Sequence, residues 1–157
     1  MNDRRIRLLA TGGVLAAAVF LLTAFVRIPL PAGYLNLGDA GVFLAAMLLP
    51  AGYAALCAGV GSALADLIGF PLYAPVTLAV KGLTALVFAL LWRRLPGKTR
   101  YLAFFAVLIV PLGYFAFELF AAGTFAWADL PMNLIQSAVG AALALALDRA
   151  TKERFRL

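Results

Sequence analysis

Seven polar side chains interrupt the apolar stretches of this 157-residue sequence, and they are of the types that hold a polar ligand by hydrogen bonds and ion pairs. They are one lysine, three carboxylates and three amides: Lys81; Asp39, Asp66 and Glu118; Asn36, Asn133 and Gln136. The sequence has no histidine, the commonest general base and metal ligand, and Cys57 is its only cysteine. We therefore expect binding rather than catalysis, with no metal and no other cofactor.

The composition is that of an integral membrane protein. The sequence is 65% hydrophobic and 13% charged, whereas soluble domains are about 45–50% apolar and about 25% charged. The apolar stretch from Leu8 to Val26 is longer than the core of a signal peptide, about 7–15 residues, and we expect it to be a retained first span. The length predicts one membrane domain over residues 1–157.

Six apolar segments are predicted to cross the membrane as helices, which gives an all-α six-helix bundle. A spanning helix needs roughly 20 residues. The second segment is short, and Pro50, Ala51 and Gly52 separate it from the third with almost no loop, so these two should form a tight helical hairpin. The predicted spans are about 8–27, 39–51, 52–69, 75–93, 101–122 and 130–149.

The basic residues predict the orientation. With six spans, eleven of the 13 lysines and arginines fall on one side of the membrane, and cytoplasmic loops carry the excess of Lys and Arg. Both termini are therefore predicted to be cytoplasmic in a multi-pass protein of the plasma membrane. The basic residues are not interleaved with aromatic residues on one face, so nucleic acid is not an expected partner. The eleven are Arg4, Arg5, Arg7, Arg93, Arg94, Lys98, Arg100, Arg149, Lys152, Arg154 and Arg156.

With this orientation, all seven polar side chains lie in the outer half of the bundle. Charged residues inside spans usually face a wet cavity or the bundle interior, so we expect a pocket near the outer surface with Asn36 and Asp39 at its entrance. Lys81 needs a counter-charge, and Glu118 or Asp66 could serve as one. Two structural alternatives stay open: Asp39 as a helix cap, and Lys81 in a salt bridge with no role in binding.

Helical spacing adds neighbours to this set, because residues three or four apart lie on one face. Tyr114 lies one turn before Glu118, and Thr77 one turn before Lys81. Tyr73 falls in an outer loop, where it would either anchor at the membrane interface or stack against a ring-shaped ligand. The residues predicted to bind a ligand are Asn36, Asp39, Asp66, Tyr73, Lys81, Tyr114, Glu118, Asn133 and Gln136.

The first span carries small residues at four-residue spacing, in the pairs Gly12 with Ala16 and Gly13 with Ala17. Small residues allow helix backbones to approach closely. This surface could therefore receive a helix of a partner protein.

Three stretches resemble a known family: "YLNLGDAGVFLAAMLLP", "AGVGSALADLIGFPLYAPVTLAVKGL" and "MNLIQSAVGAALALAL". They are similar to the substrate-binding S components of energy-coupling factor (ECF) transporters, in the group with riboflavin, pyridoxine and hydroxymethylpyrimidine carriers. The resemblance implies a six-helix membrane protein that captures a vitamin from outside and topples in the membrane to release it inside. It also implies partners, namely a membrane coupling subunit and two cytoplasmic ATPases. Gly12, Gly13, Ala16 and Ala17 would dock on the coupling subunit.

Two other classes of function fit the sequence less well. A small intramembrane enzyme would need an activated nucleophile or a metal site, but Ser62 has no histidine and Asp66 alone is no activating dyad. A channel or membrane scaffold would have a polar lining through both halves of the bundle, or none. The sequence also has no G-x-x-x-x-G-K-[ST] motif, so energy for transport would come from a partner or an ion gradient.

Overall fold

The computed structural model describes residues 3–30, 33–121 and 123–154, and these form a bundle of six helices with one small hairpin. A 3₁₀ helix, Gly97–Leu108, leads directly into the fifth α-helix, and a short one, Gly123–Phe125, precedes the sixth. The elements are α1 (Asp3–Ala24), β1 (Arg27–Leu30), β2 (Gly33–Asn36), α2 (Gly38–Leu48), α3 (Ala51–Gly69), α4 (Ala74–Arg94), α5 (Ile109–Ala121) and α6 (Ala126–Arg154).

Five helical stretches in the described part of the chain are long and apolar enough to cross a membrane. They are α1, α3, α4, the continuous stretch Gly97–Ala121 and α6, while α2 is apolar but shorter. The predicted all-α membrane bundle with a short second helix is therefore confirmed. The cytoplasmic position of the termini stays a prediction.

The hairpin between α1 and α2 was not predicted. Arg27 pairs with Asn36 in its antiparallel register, so the hairpin returns the chain to the end of α1 and sets Asn36 at the start of α2. The segment contains Pro29, which disfavours a strand assignment; in a two-stranded sheet both strands are edges, where proline is tolerated. α1 accordingly ends at Ala24 rather than near residue 27.

The two ends of the bundle differ in chemistry. We call the end where α4 finishes the basic end, because it carries Arg93 and Arg94, and the opposite end the pocket end. Arg93 donates from Nε to the carbonyl of Leu49 at 3.2 Å, which ties the end of α4 to the turn between α2 and α3. Gly97 has a φ of +52° just beyond this point, a conformation that suits glycine where the chain turns back.

Aromatic and aliphatic side chains fill the half of the bundle at the basic end. Phe88 lies at the centre, with its ring centroid 5.2 Å from that of Phe43, 5.2 Å from that of Phe104 and 5.5 Å from that of Trp92. Phe43 and Phe88 are fully buried. This half has the close packing expected of a protein interior.

The shortness of α2 leaves the other half more open. α2 has 11 residues and α3 has 19, so at 1.5 Å per residue they are about 16 Å and about 28 Å long. Both adjoin Pro50 at the basic end. α2 therefore begins near the middle of the bundle, and Asp39, in its first turn, lies at that depth rather than at the surface.

Candidate ligand-binding site

A cavity of about 240 Å³ opens at the pocket end of the bundle. Every spanning helix contributes to its wall, as do β2 and the loop between α3 and α4, whereas α2 does not. The lining residues are Thr23, Asn36, Ser62, Asp66, Phe70, Tyr73, Thr77, Lys81, Tyr114, Glu118, Asp129, Met132, Asn133 and Gln136.

The structure brings eight of the nine residues predicted to bind a ligand around this one cavity. They come from α3, α4, α5, α6, the hairpin and the loop before α4. Asp39 is the ninth and does not line the cavity. That the eight contact a ligand remains a prediction, but the predicted convergence in one half of the bundle is observed.

Asp39 forms an ion pair with Lys81, and its oxygen accepts a hydrogen bond from the lysine Nζ. The two residues are 1% and 5% exposed. Glu118 and Asp66, the counter-charges suggested by the sequence, are not the ion-pair partner of Lys81, because the short α2 begins at the depth of Lys81 and brings Asp39 to it. The expectation that Asp39 lies at the entrance was wrong for the same reason. Asp39 is also not the N-cap of α2, since that position is occupied by Leu37.

An amide network holds the hairpin to α6 beside this ion pair. The side-chain oxygen of Gln136 accepts hydrogen bonds from the Asn36 backbone N–H at 3.1 Å and from Asn36 Nδ2 at 2.9 Å. Gln136 Nε2 donates to Asp39 Oδ2 at 3.4 Å, and Asn36 Oδ1 accepts from the backbone N–H of Gly38 at 2.9 Å. Residues 100 positions apart are thereby fixed around the carboxylate that holds Lys81.

A second network follows the face of α4 one turn from Lys81. Thr77 donates from Oγ1 to Asp66 Oδ2 at 2.5 Å, and its Oγ1 is 2.8 Å from the Tyr114 hydroxyl. The Lys81 ammonium lies 5.4 Å from the centroid of the Tyr114 ring, within range of a cation–π interaction. The predicted shared face of Thr77 and Lys81 is therefore present and is directed into the cavity.

Two buried polar atoms in the cavity wall have no hydrogen-bond partner in the described part of the chain: Ser62 Oγ and Glu118 Oε2. Ser62 is 1% exposed and Glu118 is 4% exposed. Buried polar groups are nearly always hydrogen-bonded, and an unsatisfied one costs about 1–3 kcal/mol. Both atoms could therefore accept a hydrogen bond from a bound molecule.

Close helix packing fixes the floor of the cavity. A Cβ atom on Gly140 of α6 would lie 2.5 Å from the Asp39 Cβ and 2.8 Å from the backbone nitrogen of Ala40. Only glycine fits at this contact, because real Cβ atoms do not approach other atoms so closely. Gly140 therefore sets the position of the Asp39 carboxylate against Lys81.

Six lining residues are not in the predicted set: Asp129, Met132, Phe70, Thr23, Ser62 and Thr77, of which Thr77 was expected only to share the face of Lys81. Asp129 was missed because the sixth span was predicted to begin at residue 130, whereas α6 begins at Ala126. Helical spacing could have found it, since Asp129 lies one turn before Asn133. Phe70 and Thr23 carry no such signal, because their place depends on how the ends of α3 and α1 approach each other.

The four small residues of α1 do not share one environment. Gly13 and Ala17 are exposed, whereas Gly12 and Ala16 are half-buried. Ala16 packs against the core, and its carbonyl oxygen would lie 2.5 Å from a Cβ atom on Gly61 of α3. Only Gly13 and Ala17 are thus directed away from the bundle. Their docking role remains a prediction.

The cavity combines hydrogen-bond donors, acceptors and aromatic rings in a space that suits a small polar ring compound. In the described part of the chain, no three or more His, Cys, Asp or Glu residues are grouped so as to hold a metal ion. The groups on the cavity wall can offer hydrogen bonds, charge and aromatic faces to a ligand.

Comparisons with known proteins agree with this architecture. A solved structure described as the S component of a bacterial ECF transporter superimposes with a TM-score of 0.74, over 98% of this chain and 99% of that one, at 19% sequence identity. At that identity the likeness shows the fold. A protein of Pyrococcus woesei, described as "Uncharacterized protein in gap 3'region", is 51% identical over 67 residues. These residues are 41% of this chain and 45% of that protein.

A protein-family model gives the assignment. Residues 4–153 match the model of the "ECF-type riboflavin transporter, S component" family. This match confirms the resemblance found in the sequence, and its length leaves only the extreme termini outside. The chain belongs to the ECF-type riboflavin transporter S component family.

Proposed function

We propose that this chain is the substrate-capturing membrane subunit of an ECF-type importer, and that a small water-soluble vitamin binds in the cavity at the pocket end. The observation that carries the proposal is the convergence on one cavity of eight polar or aromatic side chains that the sequence predicts to bind a ligand. The family membership supplies the transport role. As a transporter subunit, the chain performs no catalytic step of its own.

The one-sided position of the cavity supports capture rather than conduction. A channel needs a path through the whole bundle, but the aromatic cluster around Phe88 occupies the half at the basic end. If the basic end is cytoplasmic, as the charge distribution predicts, the cavity faces the outside. A ligand could then enter from outside and would require a rearrangement or reorientation of the subunit to leave inside.

The ligand is proposed to be a compact heteroaromatic vitamin or precursor, of the riboflavin, pyridoxine or hydroxymethylpyrimidine kind. The aromatic side chains of Phe70, Tyr73 and Tyr114 line the cavity and offer faces for stacking. The cavity volume is about 240 Å³, and typical small-molecule pockets have volumes of about 300–1,000 Å³. The cavity is therefore slightly smaller than this range. That size favours a compact ring compound over a larger cofactor.

The proposed partners are a membrane coupling subunit and two cytoplasmic ATPases. Among the candidate spans, α1 has the smallest share of its apolar stretch buried inside the protein, 11%. Gly13 and Ala17 lie on its exposed side, where a partner helix could approach closely. We propose this side of α1 as the docking surface for the coupling subunit.

The experiment that tests the function uses the purified protein in detergent. Native mass spectrometry should detect a co-purified small molecule, and liposomes should accumulate it only when the chain is combined with a coupling subunit, the ATPases and internal ATP. ATP-dependent uptake by liposomes that contain this chain alone would contradict the proposal. So would the absence of any bound molecule together with a failure to bind riboflavin, pyridoxine and pyridoxamine.

A further inference from the structure

The wall of the cavity has two chemically unlike sides. On one side lie Lys81, Asn36 and Gln136, which are joined in the network around Asp39. A second set of lining residues, which we call the acidic side, consists of Glu118 of α5 and Asp129 of α6, which interact electrostatically with each other. The two sides differ in whether their charges are already balanced by the protein.

The side with Lys81 is balanced. The ammonium of Lys81 is paired with Asp39, so it brings little uncompensated positive charge to the cavity. Asp66 accepts a hydrogen bond from Thr77 and interacts electrostatically with Lys81 and Arg27. A ligand on this side would therefore meet mainly neutral hydrogen-bonding groups.

The acidic side is not balanced. Glu118 is only 4% exposed, and its Oε2 has no hydrogen-bond partner in the described part of the chain. The charge that acts on it is another carboxylate, that of Asp129. Within the described residues, neither carboxylate forms an ion pair with a basic side chain. Two acids without a paired cation thus face the cavity that Lys81 also lines, and burial of the Glu118 charge is costly unless something neutralises it.

Tyr73 lies close enough to Glu118 and Asp129 to be affected by their negative charges. It lies in the loop before α4, and its pKa is raised by burial and by the negative charges of Glu118 and Asp129. Its ring centroid is 5.3 Å from that of Phe117 and 6.4 Å from that of Tyr114. The acidic side therefore also carries an aromatic wall, on which a cation or a charged ring could lie favourably.

We infer that the ligand carries a positively charged nitrogen, as an ammonium or a protonated amino-heterocycle, and that this nitrogen binds between Glu118 and Asp129. The inference rests on the proposed function and names the chemical class of its ligand. A charged N–H donor would supply the missing partner of Glu118 Oε2 in a charge-assisted hydrogen bond. The neutral part of the ring would lie toward Asn36 and Gln136.

The test uses two probes that differ in one group. Pyridoxamine carries an aminomethyl group, protonated at neutral pH, where pyridoxine carries a hydroxymethyl group on the same ring. Calorimetry on the purified full chain is expected to give an affinity for pyridoxamine about tenfold or more above that for pyridoxine, since hydrogen bonds to charged groups contribute about 1.5–3 kcal/mol. Riboflavin, which carries no such cation, serves as the third probe.

The variants Glu118→Gln and Asp129→Asn are expected to lose more affinity for pyridoxamine than for pyridoxine, which reduces the preference for pyridoxamine to less than about threefold. The matched control is Asp3→Asn, an exposed carboxylate in the first turn of α1 at the basic end, which should leave the preference unchanged. Glu118→Gln should not lower the ligand-free melting temperature, because it removes an unpaired buried charge rather than a contact.

The outcomes separate this inference from the proposed function. Binding of riboflavin or pyridoxine at least as tightly as pyridoxamine would overturn the charge inference and leave the capture function standing. A preference for pyridoxamine that persists in both variants would place the cation elsewhere and also overturn it. Failure of all three probes to bind, with no co-purified molecule, would overturn both.

Discussion

Lys81 of α4 and Asp39 of α2 form a buried ion pair across 42 positions of sequence. The pair lies beneath the cavity, and one partner, Lys81, reaches into the cavity wall. The lysine is thus held in place by a carboxylate that does not line the cavity. The same ion pair therefore contributes to the stability of the bundle and to the shape of the cavity.

The first prediction follows from that pair. Lys81→Met should lower the ligand-free stability by about 3–5 kcal/mol, because it leaves the Asp39 charge buried without its partner. The measurement is the melting temperature in detergent. Adding Asp39→Asn to Lys81→Met should recover much of the loss, and Lys98→Met, at an exposed position near the basic end, should have no effect. A Lys81→Met protein that melts like the unaltered chain would contradict the structural role of the pair.

A second prediction concerns the contact between α6 and α2. Gly140→Ala should destabilise the protein by about 1–3 kcal/mol, the usual cost of overpacking, because the added Cβ would collide with Asp39 and Ala40. Gly52→Ala is the matched control, since nothing lies within 4 Å of a Cβ atom there. The comparison is between their melting temperatures. Equal melting of the two variants would mean that α6 does not pack on α2 this closely.

The sequence allowed a close prediction of the fold and of most cavity residues, for a physical reason. Polar side chains are costly in lipid, so their presence at Lys81, Glu118 and Asn133 indicated a shared wet site, and the distribution of arginines and lysines gave their common depth. Hydrophobic length gave the six helices. These signals are local in sequence, which is why they can be recognised without a structure.

What the sequence did not reveal depends on distant contacts. The ion-pair partner of Lys81 was not predicted, because it depends on how far the short α2 extends into the bundle. Local patterns favoured carboxylates on the spanning helices instead. Asp129 was missed because the start of α6 was placed four residues late. The hairpin at Arg27–Asn36 escaped detection because its prolines indicate a loop as readily as an edge strand.

The docking surface gives a third prediction. Gly13→Leu should impair assembly with the coupling subunit, because a large side chain prevents close helix approach, while vitamin binding by the isolated chain should be retained. Co-purification of the complex is the measurement. Ala79→Leu, at an exposed small residue of α4, should assemble normally. A complex that forms equally well with Gly13→Leu would move the contact to another helix.

The fourth prediction concerns orientation in the membrane. Eleven basic residues belong to the start of α1, the end of α4 with the stretch that follows it, and the C-terminal part of the sequence from Arg149 onward, and such residues favour the cytoplasm. A reporter fused after Leu157 should therefore be cytoplasmic, and one inserted between α3 and α4 should be extracellular. The reverse result would place the cavity on the cytoplasmic face and contradict uptake from outside.

The central claim is that the cavity at the pocket end is where this subunit captures its vitamin, and Asn133 tests it most directly. Its side chain lines the cavity, is half-buried and forms no hydrogen bond in the described part of the chain. The decisive measurement is calorimetric affinity of Asn133→Leu for the tightest-binding of riboflavin, pyridoxine and pyridoxamine, beside its ligand-free melting temperature. We expect affinity to fall about tenfold or more, as for one lost ligand contact, with melting unchanged. Unchanged affinity in a protein that remains folded would contradict the assignment of this cavity as the binding site.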